Sequence, residues 1–509
     1  MIDGADAAEL RIGLANEPDS IDPHFHDYGG NLALSLQIFE PLVHMDEKGN
    51  LAPGLATDWK ATDDHSWIFH LRPDVHFSDG DPLTPDDVIF TLGRAGNVPG
   101  SPAGFGSYVR PIADVTASDA NTVVIHTEGP APLLPNFLSL VGIVSRKLGQ
   151  NSTTSDYNSG KAAIGTGPYR LDTWRRSDRI VLLRNDGYWG KPPAWDRVTL
   201  RFIANPAARV AALLAGDVDM IDSVSVQDVA VLRHNSALRV RSAVSANIII
   251  FEPDVANRKP PFITGPNGEA LDRNPLADKR VRQAIELAIN REGLKRQIMN
   301  GEAEIANQIM LPGQFGYDPS ITTPPYDPSR AKELLADAGY KDGLKLTFHC
   351  QGDRYAAGPA ICQAVAQMLA RIGVHTDAEV MPHAIFIGHA NKHEYSLFTG
   401  FMLIETGEPS SPLAATFATP SPTRDWGVFN RGQYNDPAFD TLLEAAQTEI
   451  DAPKREDILR RATKQLMDNV GFFPLLHPLD IEAMRVGLDN VPRVDGYIFA
   501  ADVVAAKSQ

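Results

Sequence analysis

The stretch whose reading decides the fold is Ile164–Pro193, IGTGPYRLDTWRRSDRIVLLRNDGYWGKPP. It spells a Gly-Thr-Gly-Pro turn, a strand, a charged hairpin, a second strand and an aromatic turn. Gly165 and Gly167 permit backbone angles that other residues avoid, and Pro168 fixes the next φ. Alternation in Tyr169–Trp174 and Ile180–Leu183 predicts a half-buried antiparallel pair. The stretch has no catalytic motif.

Downstream, Val198–Ile203 reads as a strand. Asn205 caps a helix that Pro206 opens and Gly216 ends, and Met220-Ile221 begin the next strand. Strand–helix–strand order points to an α/β layer. Upstream, Leu10–Ala15 is a strand and Leu32–Phe39 a short helix, making 8–43 the first part of a lobe. Residues 44–164 read as a small α+β subdomain, with strands at Trp67–Leu71 and Asn121–His126. A helix there starts at Thr84 with Pro85 first and Asp87 near the third position. Asn247–Phe251 is apolar and β-branched, and KPPFITGPNGEALDRNP after it is polar and Pro-rich. The first crossing between lobes is placed here, so 165–251 returns to lobe 1.

Beyond it, Val281, Ile285, Ala288 and Ile289 mark an amphipathic helix. Asp327-Pro328 start another, which Gly339 ends. Leu344–Cys350 and His375–Met381 are strands flanking a helix at Gly358–Ile372. This alternation predicts a second α/β lobe over 252–478 with a largely parallel sheet. Phe472–His477 and Ile481–Arg485 read as the return, and 479–505 completes lobe 1.

At 509 residues the chain suits two or three domains. Apolar residues make up 43% and charged residues 22%, an ordinary globular composition. A net charge of −17 argues against nucleic acid and anionic lipid as partners. No window approaches the apolar length of a membrane span. The opening MIDGADAAELRIGL lacks the basic and apolar regions of a signal peptide, and reads as an expression start before a mature sequence. Cys350 and Cys362 lack CxxC spacing. Either they pair in an oxidising compartment or they are two small buried apolar residues. There is no HExxH, GxSxG, GxxxxGK[ST] or strand-borne GxGxxG, so no enzyme and no cofactor are expected.

Eight segments then stand in order: LAPGLATDW, DGDPLTPDDVIFTL, GTGPYRL, NDGYWGKPP, AALLAGDVDMID, ADKRVRQAIELAINRE, YDPSRAKELLADAGY and YNDPAFDTLLEAA. Each alone is mostly turn and cap chemistry. Together they resemble the peptide-binding family of periplasmic solute-binding proteins, family 5, the dipeptide and oligopeptide receptors of ABC importers. The resemblance implies an α/β, two-lobed periplasmic-binding-protein fold of type II. Two crossing hinge segments join the lobes, and an extra α+β subdomain is inserted in lobe 1. It implies hinge closure on a small-molecule ligand and docking on the transmembrane subunits of an ABC permease. It further implies a periplasmic monomer that does no chemistry on its cargo. The cargo is a short peptide or, in the same receptor class, a non-peptide solute: an opine, a sugar–amino-acid or sugar-phosphate conjugate, glutathione, or a metal chelate.

In dipeptide-binding relatives an Arg after a strand grips the ligand carboxylate. The matching loop is CQGDRYAAGP and the matching residue Arg354, whose guanidinium can form two parallel hydrogen bonds. Its alternative is an exposed Arg, or one paired to Asp353. An acidic residue holds the peptide amine in the same relatives, within a W-x-x-D-x-x-D-P pattern. GFMLIETGEP offers Glu405, with Glu408 second. Here Phe401 stands for Trp, Glu replaces Asp, and one residue is extra; the alternative for Glu405 is a structural hydrogen bond. The first lobe is expected to contribute PHFHDYGGN, with Phe25, His26, Asp27 and Tyr28 as ligand contacts and Gly29-Gly30 allowing close main-chain approach. His24 and His26 raise a chelate reading, because relatives bind nickel complexes or haem. With no further Cys or His nearby, no metal site is assigned. Trp426 is a candidate to stack on a ligand side chain and Asn430 to bond its backbone; equally, the Trp is buried under its loop. Ser223 offers main-chain bonds after the DMID strand.

Overall fold

The computed structural model describes residues 8–256, 258–355, 357–421, 423–424 and 426–506. The lead at residues 1–7, read as an expression start, lies outside them. The chain divides into two compact units, Met1–Ala243 with Asp480–Gln509, and Val244–Leu479.

In the first unit, strand Glu9–Leu14 pairs in parallel with Arg197–Phe202 and with Met220–Ile221. Leu10, Ile12, Val198, Leu200 and Met220 from these strands are buried together. Arg179–Arg184 and Tyr169–Arg175 extend the sheet antiparallel, so the deciding stretch is its edge hairpin. Its glycines serve a purpose other than the expected one. Neither Gly165 nor Gly167 has a positive φ. A Cβ on Gly165 would stand 1.9 Å from the Ile38 carbonyl oxygen, and one on Gly167 2.6 Å from that of Gln37. Close approach to the end of helix Gly29–Ile38 demands glycine there. The aromatic turn reaches back as well: Tyr188 and the Trp189 indole donate to buried Glu40 at 2.9 and 2.7 Å.

The helix Pro206–Ala215 follows its caps as read. Asn205 accepts from the Ala208 N–H, and Gly216 closes at φ 81°. Residues 44–164 contain a separate antiparallel sheet of Ala56–Asp63, Ser66–Leu71, Thr122–Thr127 and Ile112–Asp119. The helix Pro85–Ala95 beside it starts where Thr84 donates its N–H and hydroxyl to Asp87 at 2.9 and 2.8 Å.

In the second unit, Leu344–Gln351 pairs in parallel with Val374–Met381 and Leu397–Met402. The rest runs antiparallel. Ile248–Pro253 lies between Leu397–Met402 and the start of Phe473–Arg485, and Ala303–Ile305 joins that same start. The sheet is therefore parallel toward its Val374–Met381 edge and changes direction where Ile248–Pro253 runs against Leu397–Met402. Two readings shift accordingly. The first boundary falls after Ala243, not after Phe251, because Ile248–Pro253 is buried in the middle of the second sheet. The two return runs are one continuous strand, Phe473–Arg485, with Pro478 inside it.

Candidate functional site

The Arg354 arm of the second unit is built around a staple. Cys350 is buried near the end of strand Leu344–Gln351, Cys362 sits in helix Gly358–Arg371, and the two are bonded, with Cα atoms 6.5 Å apart. The loop between them carries Arg354. A chain crosslinked at both ends of a short loop samples fewer conformations, and Arg354 lies within that loop. Its Cζ stands 5.6 Å from the Phe401 ring centroid, and the Tyr355 ring stacks on the same Phe401 at 5.7 Å. Phe401, on strand Leu397–Met402, thus supports both. Among the described residues no carboxylate pairs with Arg354. Its neighbour Asp353 instead accepts from the His383 N–H at 2.7 Å. His383 Nδ1 lies 2.6 Å from the Gln351 amide oxygen, and burial, then the Arg354 charge, holds its pKa below the ordinary value. Tyr355 and His383 escaped the sequence reading. The motif marked only the arginine, and His383 comes from a helix start thirty residues on in the chain.

Glu405 lies in the turn that follows strand Leu397–Met402, half-buried. Glu408, on the same turn, is spent internally. It accepts from Ser410 and is paired with Arg455 across a buried contact. Trp426 is 6% exposed and its indole donates to Gln447 at 2.9 Å. Asn430 is buried, donates to the Ala418 and Tyr434 carbonyls and accepts from the Tyr434 N–H. Their polar groups hold the 418–434 loop together, which leaves only ring faces and backbone for another partner.

In the first unit, the loop PHFHDYGGN is tied by its own charges. Asp22 takes two bonds from Arg94, and Arg94 also donates to His24 Nδ1 at 2.7 Å. His24 Nε2 therefore carries the proton and donates to the Gly142 carbonyl at 2.8 Å. Burial, then the Arg94 charge, pushes His24 down to about 4. His26 turns away, pairing with Asp19 at 2.5 Å and stacking on Tyr28 at 5.6 Å. The two histidines thus serve different partners, and among the described residues no cluster of three His, Cys, Asp or Glu could hold a metal. Phe25 gives its carbonyl to the Ser101 hydroxyl. Asp27 accepts from Tyr108 and burial raises its pKa; its Oδ1 is buried without a hydrogen-bond partner. Tyr28, 36% exposed, precedes helix Gly29–Ile38, so Gly29-Gly30 form a first helical turn and not the free loop expected. Ser223 adopts φ 46° and offers its carbonyl to buried Arg209 at 2.8 Å. Arg209 also faces Asp222, whose carboxyl burial pushes up to about 6.

Phe25, His26, Asp27 and Tyr28 thus come together on one loop of the first unit, and Arg354 sits with Phe401 and Tyr355 in the second. The sequence reading passed over one further group, Glu252. Its carboxyl is buried on the central strand Ile248–Pro253, and a Cβ at Gly400 would stand 2.6 Å from its Oε1. Burial pushes it up to about 7, against the pull of Arg431. A lone acid inside an apolar strand gives no periodicity signal.

Comparison with known proteins identifies the family. The profile of "Bacterial extracellular solute-binding proteins, family 5 Middle" matches residues 50–422. "Di/tripeptide-binding protein 3" of Pseudomonas aeruginosa strain UCBPP-PA14 is 27% identical over 512 residues, covering 94% of this chain and 91% of that one. The glutathione-binding protein GsiB of Escherichia coli O1:K1 / APEC is 24% identical over 482 residues, covering 92% and 89%. Among solved structures, the periplasmic binding protein DppA of Helicobacter pylori, in complex with the peptide STSA, superposes with a TM-score of 0.75. It is 22% identical and covers 98% of this chain and 99% of that one. With most of its length matched, the chain belongs to the family 5 bacterial extracellular solute-binding proteins.

Proposed function

We propose that this chain is an extracytoplasmic receptor of an ABC importer that binds a short peptide and hands it to the permease. The observation that carries the reading is Arg354. Its guanidinium is braced against Phe401 on a disulfide-closed loop and has no carboxylate partner among the described residues. Such a group is pre-set for a terminal carboxylate, which it can bond through two N–H groups. Glu405 is the proposed counter-charge for the free amine. An extended dipeptide spans about 7 Å at about 3.5 Å per residue, so two opposite charges select a short zwitterion. Phe25, His26, Asp27, Tyr28 and Ser223 form the proposed contribution of the first unit. Trp426 and Asn430 shape the loop that carries them, and act on ligand only through ring face and main chain. Peptide capture by relatives named for dipeptides and tripeptides supports the reading. The ligand leaves the receptor chemically unaltered. The receptor acts as a monomer.

A thermal-shift screen tests this. Free dipeptides and tripeptides are compared with their N-acetylated forms, opines, glutathione and sugar phosphates. At a hundred times its dissociation constant a ligand adds about 2.7 kcal/mol of stability. The reading expects free peptides to shift the melt and N-acetylated ones to fail. Equal shifts by acetylated peptides, or shifts by opines alone, would overturn it.

A further inference from the structure

The second unit holds a cavity of about 760 Å³ in which Arg354 and Glu405 take no part. Its volume lies in the range of small-molecule sites, about 300–1,000 Å³. Its wall is mostly apolar, counting two tyrosines, Tyr317 and Tyr326, and carries two carboxylates, Glu292 and Glu304. The cationic side chain in the wall, Arg291, is buried and ion-paired with Glu286, while its Nη1 is buried without a hydrogen-bond partner and shielded from solvent. Arg291 donates to Glu286 at 2.6 Å and to the Pro474 carbonyl at 2.7 Å. Each wall amide has one polar atom engaged: Asn290 accepts from the Gly293 N–H and Asn307 donates to the Ile321 carbonyl. Glu304 is shared with Lys295 at 2.8 Å. Glu292 is exposed and has no ion-pair partner among the described residues. What the wall chiefly offers is apolar surface, tyrosine ring faces and the Glu292 carboxylate. Ring faces and carboxylates together favour an organic cation, and the chain's charge of −17 favours its approach.

The cavity's position adds weight. Val244, the first residue of the second unit, lines it, and so does His477, close to that unit's end. His477 Nδ1 lies 3.1 Å from the carbonyl oxygens of both Ser245 and Asn247. An occupant of the cavity therefore touches the two strands that lead out of the unit at the point where His477 ties them together.

From this geometry we infer that the cavity is a second binding site, separate from the Arg354 arm, for a small amphipathic organic cation with an aromatic or aliphatic body and one ammonium head. The head sits between Glu292, Glu304 and the tyrosine rings, and the body lies on the aliphatic and proline wall.

The test is calorimetry on the full chain with benzyltrimethylammonium as probe and benzyl alcohol as its uncharged counterpart. Saturable binding of one probe per chain is expected, with benzyl alcohol weaker. Tyr326→Ala should weaken the probe about fivefold or more through loss of the ring face. Glu292→Gln should weaken it about threefold. Both side chains are exposed, so neither variant endangers folding. Arg354→Ala should leave probe affinity unchanged. No saturable binding, unchanged affinity in both cavity variants, or loss of binding in Arg354→Ala would each overturn the site.

Discussion

Arg455 Nη2 lies 2.5 Å from Glu408 Oε2, with 6% and 2% of the two side chains exposed. The pair anchors the turn that also bears Glu405. Removing one partner of a buried ion pair strands the other charge, at a cost of about 3–5 kcal/mol. Glu408→Ala and Arg455→Ala should therefore each lower the unfolding free energy by that amount. Chemical denaturation of the two variants decides it.

Arg354→Ala should weaken binding of a free dipeptide at least tenfold, since a buried charge partner contributes about 2–5 kcal/mol. The ligand-free melting temperature should barely move, because the guanidinium has no ion-pair partner among the described residues. Isothermal calorimetry that finds affinity intact would remove Arg354 from the site.

His24 gives the first unit an acid-sensitive element. Its folded-state pKa of about 4 lies below its ordinary 6.5. Its contribution to stability is complete above pH 6.5 and is lost as pH falls toward 4, by up to about 3 kcal/mol. Replacing it with Gln should flatten the stability slope between those pH values, measured by urea unfolding at half-unit intervals.

Glu252 acts in the opposite sense. Burial raises it from 4.5 to about 7, so its contribution is complete below pH 4.5 and lost as pH rises through 7. Glu252→Gln should be more stable than the parent at pH 8, by up to about 3 kcal/mol, with no such gain at pH 4.5. Thermal melts at the two pH values read this directly.

Reduction of Cys350–Cys362 frees a loop of about a dozen residues, worth about 3 kcal/mol in the chain-entropy account. Dithiothreitol, or paired Ser substitutions, should lower stability. It should also weaken peptide binding, because Arg354 lies inside the loop. Unaltered affinity after complete reduction would show that the staple does not position the arginine.

Much of the scaffold was legible because it rests on local chemistry. Thr84 and Asp87, Asn205 and Pro206, and Asp327 and Pro328 announce helix starts within a few residues of one another, and the helices begin there. Long-range facts were less legible. Gly165 looks like a turn glycine, yet it is required by the distant carbonyl of Ile38. Nothing near Trp426 or Asn430 in the chain reveals that Gln447 and Ala418 take up their polar groups. The parallel expectation for the second sheet failed at Ile248–Pro253, because strand direction depends on where the chain enters the unit, which no window of sequence records. Arg354 was found by motif, but the ring beneath it, Phe401, comes from another strand.

The connectivity of the units also sets an order of completion. Val244–Leu479 is one uninterrupted run, so it holds all its own strands once residue 479 has been made. The other unit waits for the end of the chain. Met484 pairs with Met220, and Met484, Leu488, Ile498, Ala500 and Val503 join Leu10, Ile12 and Leu200 in one buried cluster. The unit begun first thus completes its core only after residues 484–503 have been made, later than the other unit. A chain cut short after residue 479 would leave the inner unit intact and the outer one without part of its interior.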